Sequence, residues 1–105
     1  MKPYVSYDKF LVEQLKDPAL AAGYLNAALE GGDCQMFFEA LRNVAKALGG
    51  LSKLSRSAKL NRANLYRILS KQGNPEVQTL SQILETFGLR LAVTANPGAK
   101  ARRAA

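Results

Sequence analysis

Four residues close together, Arg62, Asn64, Tyr66 and Arg67, carry side chains suited to reading nucleic-acid bases. An arginine guanidinium can bridge O6 and N7 of guanine, and an asparagine amide can bridge N6 and N7 of adenine. An aromatic ring such as Tyr66, or a small methyl such as Ala63, can touch the methyl of thymine. Just upstream, Lys53, Arg56 and Lys59 lie where phosphates would run; such cations add affinity and salt dependence but no sequence preference. Catalytic chemistry has little to work with. The chain has no histidine, and Cys34, its one cysteine, has no histidine partner to activate it. The carboxylates are scattered, and Gly31-Gly32 and Gly49-Gly50 read as helix stops rather than phosphate loops. We therefore expect no enzyme, no metal and no cofactor, with Cys34 as a buried or half-buried packing residue.

The charge distribution supports a polyanion surface. Between Met1 and Glu39 there are three basic and six acidic residues. Between Ala40 and Pro75 there are eight basic residues (Arg42, Lys46, Lys53, Arg56, Lys59, Arg62, Arg67 and Lys71) and no acid at all. The net +7 of the chain is thus concentrated in its middle third and its tail.

These residues need helices to position them. Leu51, Leu54 and Ala58 form one face of a two-turn helix, and Leu60 plugs a short turn. Asn61 then caps a second helix whose inward face is Leu65, Ile68 and Leu69, leaving Ala63, Arg67 and Ser70 outward beside Tyr66 and Lys71. Two short helices, a tight turn and one apolar plug are the helix-turn-helix pattern, over residues 51–71. Ser55 is small and faces the second helix, which permits a close crossing.

Upstream, Asp17 with Pro18 opens a helix carrying Ala21, Tyr24, Leu25, Ala28 and Leu29, and Asp33 caps another carrying Phe37, Leu41, Val44 and Leu48. Phe10, Leu11 and Leu15 suggest a short helix after an extended lead-in containing Tyr4 and Tyr7. Downstream of a loop at 72–75, Thr79 is the expected cap of a last helix with Leu80, Ile83, Leu84 and Phe87, closed by Gly88. Leu89, Leu91 and Val93 alternate with polar or small residues, which predicts a short strand over 89–94. Its partner would be the Tyr4–Tyr7 segment, a second subunit or another protein. The 105 residues fit one domain, expected over 1–95, with a basic disordered tail over 96–105. No apolar run is long enough to span a membrane, and the start lacks a secretory core. A single cysteine excludes an internal disulfide, so a cytoplasmic setting is expected.

The run from Leu51 through Gly73-Asn74-Pro75 to Thr79-Leu80, ending Gly88-Leu89-Arg90-Leu91, resembles the Cro/lambda-repressor-type domain of addiction-module antidote proteins similar to HigA-type antitoxins. Asp17-Pro18, the run Tyr24 to Glu30 and Gly32-Asp33 match the same family. The resemblance implies a mainly α, five-helix repressor-like DNA-binding fold, here with an N-terminal extension and the short C-terminal β-strand. It further implies operator binding and neutralisation of a RelE/ParE-type toxin encoded alongside. Base recognition would fall to Asn61–Ser70, and Thr79 would meet the DNA backbone. Lys59 stands where such turns usually hold glycine, so a rearranged or strained turn is expected. Ser55 stands where alanine is commoner. Because one motif reads a half-site, the expected reader of double-stranded operator DNA is a homodimer. Two other readings stay open: a toxin-binding protein with little or no DNA binding, and a stand-alone phage or plasmid repressor without a toxin.

Overall fold

The computed structural model describes residues 3–70 and 73–97. Among them are six helices: α1 Pro3–Leu15, α2 Pro18–Glu30, α3 Cys34–Ala47, α4 Leu51–Ala58, α5 Arg62–Ile68 and α6 Val77–Thr86. The sixth is α1. It takes in Tyr4–Tyr7, so the extended lead-in is corrected to helix. The cause is packing: Leu15 is buried and Leu11 and Val12 lean on the core, so one continuous helix docks against α2 and α3.

Local chemistry sets the other helix starts. Asp17 Oδ1 accepts from the Ala19 N–H and Asp33 Oδ1 from the Gln35 N–H, both at 2.9 Å. Pro18 follows Asp17 at the first helical position, where its missing N–H leaves nothing unpaired. α3 ends where the N–H groups of Gly49 and Gly50 turn back to the Lys46 and Ala45 carbonyls, a reversal that needs φ of 118° at Gly49. Thr79 is not a cap. The helix begins at Val77, with Glu76 extended before it, and the Leu80 N–H already donates to Glu76 O at 2.9 Å. Thr79 therefore sits half-buried within the first turn.

α3 is the central element, packed against α1, α2 and α4, while α5 and α6 both pack on α4. The innermost side chains are Leu41 and Val44 of α3, Leu65 and Leu69 at α5, and Ile83 of α6, each with no exposed surface. Tyr24 and Asn43 join α2 to α3, the amide donating to the phenol oxygen at 2.8 Å. Cys34 is exposed, against expectation, because α3 runs one turn past the packed core, which begins at Phe37.

The expected strand over 89–94 is absent: among the described residues there is no β-strand. Its nearest proposed partner is spent in α1, whose backbone groups bond within the helix. Leu89 instead folds back on α6, its N–H donating to Leu84 O at 2.8 Å, and then the chain runs without helix, strand or turn to residue 96. Leu91 is 42% exposed and Val93 99%. No described helix is long and apolar enough to cross a membrane.

Candidate nucleic-acid interface

α4 and α5 are anchored by Leu54 and Ala58 on one side and by Leu65, Ile68 and Leu69 on the other. Leu60, in the turn between them, packs partly buried against the core as the plug. Lys59 adopts φ 58° and ψ 44°, in the left-handed region. The turn is thus not rearranged; lysine takes the conformation glycine would. Among the described residues it is the one non-glycine residue with positive φ.

Ser55 explains part of how this is held. The Leu60 N–H donates to Ser55 O at 2.9 Å, and the Ser55 hydroxyl donates to Leu60 O at 2.5 Å. The two residues clamp the turn across Lys59; an alanine at 55 would keep the backbone bond and lose the hydroxyl one. Left-handed geometry costs an L-residue about 1–2 kcal/mol, partly offset in a glycine variant by unfolded-chain entropy of about 0.5–1 kcal/mol. Lys59→Gly should therefore raise stability by about 0.5–1 kcal/mol in a chemical melt, in line with these opposing terms. It should weaken any DNA complex at the same time, because a cation is lost. A destabilised variant would contradict this reading of the turn.

α5 begins at Asn61, whose Oδ1 accepts from the Asn64 N–H at 2.9 Å. Its outward face presents Arg62, Ala63, Tyr66, Arg67 and Ser70, all exposed, with Asn64 half-buried at the edge. These side chains work in pairs. The Arg62 guanidinium lies over the Tyr66 ring at 5.6 Å, and Arg67 donates to Asn64 Oδ1. The Ser70 hydroxyl turns back to Arg67 O at 2.6 Å. Pairing at these helical intervals limits rotamer freedom before any ligand arrives. Arg67 keeps further guanidinium donors, and Asn64 keeps its amide N–H groups and a second carbonyl lone pair.

Lys53, Arg56 and Lys59 are exposed and, among the described residues, have no ion-pair partner. Lys71 lies outside the described residues. Arg42 departs from the simple charge count. It is half-buried, and its guanidinium donates to Leu69 O at the carbonyl end of α5. There it satisfies an orphan acceptor and favours the negative helix end. No sequence signal announced this contact between residues 27 positions apart. A second support is Gly73, where a Cβ would fall 2.0 Å from Ile68 O, so the chain can leave α5 this closely only without a side chain. Thr79, in the first turn of α6, makes no hydrogen bond to α4 or α5 among the described residues. Among the described residues no cluster of histidine, cysteine or carboxylate side chains could hold a metal ion.

Comparison with known proteins bears on what this surface serves. Residues 6–95 match the model of the family described as "Probable addiction module antidote protein". The chain belongs to that family. An uncharacterized protein of Haemophilus influenzae is 30% identical over 92 residues, covering 79% of this chain and 94% of the relative. No solved structure matches the chain. Membership implies an antitoxin role and, with it, a cognate toxin as partner. The matched region contains all of α4, α5 and α6 and ends at residue 95, before the basic tail.

Proposed function

We propose that this antidote is also a sequence-specific DNA-binding repressor of its own operon, with α4 and α5 acting as a helix-turn-helix. The observation that carries the reading is the outer surface of that helix pair. It sets Arg62, Asn64, Tyr66 and Arg67 on one short helix beside three exposed cations without ion-pair partners. α5 enters the major groove, where Arg62, Ala63, Asn64, Tyr66, Arg67 and Ser70 meet base edges. Lys53, Arg56, Lys59 and Lys71 approach phosphates, with Thr79 assigned to the backbone on family resemblance alone. Two copies read two half-sites of an operator.

The other partner is a toxin of the RelE/ParE type. Glu13, Asp17, Glu30, Asp33 and Glu39 are all exposed on α1 to α3 and the turns between them. Such a surface complements a basic protein, so toxin and DNA would occupy opposite charge faces of one molecule. Fluorescence anisotropy with a duplex from the chain's own promoter and a scrambled duplex tests the DNA half. Lys53→Ala should weaken both complexes equally, because a phosphate contact carries no sequence information. A loss confined to the promoter duplex would remove Lys53 from the phosphate-contacting set.

A further inference from the structure

We propose that residues 90–94 are the dimer interface, pairing with the same segment of a second copy as a two-stranded antiparallel ribbon centred on Ala92. The proposal deepens the reading above, which requires a second copy, but it stands on separate observations. This stretch has the alternation of a strand and runs without helix, turn or bend, and no strand, bridge or backbone hydrogen bond ties residues 90–95 to any other described element. Extended backbone with open donors and acceptors is a template for another strand. Val93, at 99% exposure, is an apolar side chain with nothing against it, and Leu91, two residues before it, is 42% exposed.

The occupant is a second copy because the segment complements itself. An antiparallel register through Ala92 sets Leu91 opposite the partner copy's Val93 on one face, and Arg90 opposite its Thr94 on the other. No like charges meet, and the smallest side chain of the set lies at the two-fold axis. A cleft of about 460 Å³ opens beside the segment, between it and α2, lined in part by Ala22, Leu25, Leu29, Phe37 and Leu91. Its lining also carries Glu30 and Arg90, so each copy offers the other both signs of charge.

The register makes a sharp test. In a Cys34→Ser background, Ala92→Cys places the two introduced thiols opposite each other, with Cβ atoms about 4.5–5.5 Å apart, close enough to oxidise with a small adjustment. Ala95→Cys places its pair about 20 Å apart by strand rise. Mild oxidation should link the first variant into a covalent dimer and leave the second unlinked. Val93→Asp, fully exposed and so without effect on the melt of the monomer, should turn a dimer into a monomer by light scattering. Three results would overturn the proposal: a native chain that is monomeric at tens of micromolar, equal linking of both cysteine variants, or a Val93→Asp chain that stays dimeric. Binding of the Val93→Asp chain to low-salt duplex DNA is scored separately. A linked dimer that ignores DNA leaves the interface standing and removes the repressor reading.

Discussion

Arg67→Ala should reduce the preference of the chain for its operator over unrelated duplex by about 5- to 150-fold, the range for a lost bidentate base contact of about 1–3 kcal/mol. Affinity for unrelated duplex should fall far less, by about the effect of one exposed charge. The distinction follows from placement. Arg67 stands on the outward face of α5, and Asn64 holds its guanidinium from one side, so the group is directed before DNA arrives. Paired binding curves on operator and scrambled duplex read the two effects independently. Equal losses on both would make Arg67 a phosphate contact and move base reading to Arg62 and Asn64.

Leu65→Ala should destabilise the fold by about 2–5 kcal/mol, the range for truncating a fully buried leucine that leaves a cavity. A domain of this size has about 5–15 kcal/mol in total, so the variant should melt far below the native chain. Leu65 has no exposed surface, and it anchors a helix of seven residues. A helix that short does not persist on its own propensity, so its outward side chains depend on this inward one. DNA binding and thermal stability should fall together here, whereas Arg67→Ala should leave the melt nearly unchanged. A Leu65→Ala chain within about 1 kcal/mol of native would show that α5 is held by something other than core packing.

Much of this arrangement was legible because it is local. The caps at Asp17, Asp33 and Asn61 each act on an N–H two or three residues onward, so side-chain type and spacing announce them. The outward pairs Arg62–Tyr66 and Asn64–Arg67 are just as local, four and three residues apart, but residue type points each of these side chains to DNA rather than to its neighbour. Lysine at the position where glycine is usual implies a rearranged or strained turn, and the structure shows the turn unrearranged with Lys59 itself left-handed. What the pattern missed is long-range. The charge count places Arg42 in the basic window of a polyanion surface, but tertiary packing sends it to the end of α5. Alternation over 89–94 described a strand's side chains without supplying the partner on which a strand depends. Thr79 has the chemistry of a cap, yet the backbone enters the helix three residues sooner, with Glu76 at the cap position. Cys34, expected buried or half-buried, is exposed for a related reason: what covers a terminal turn depends on neighbours far along the chain.

The central claim is that the exposed cations of α4 and its turn sit on DNA phosphates while α5 reads bases. Titrating a promoter-duplex complex with salt tests it most directly. The three phosphate contacts of α4 and its turn alone give a slope of about −2.7 in log affinity against log salt, or about a 40-fold loss over a fourfold salt rise, and a fourth contact from Lys71 steepens it. A dimer on a full operator should be steeper, and Lys53→Ala should lower the slope by about one per copy. No complex with promoter DNA even at low salt, or a complex indifferent to salt, would contradict the account.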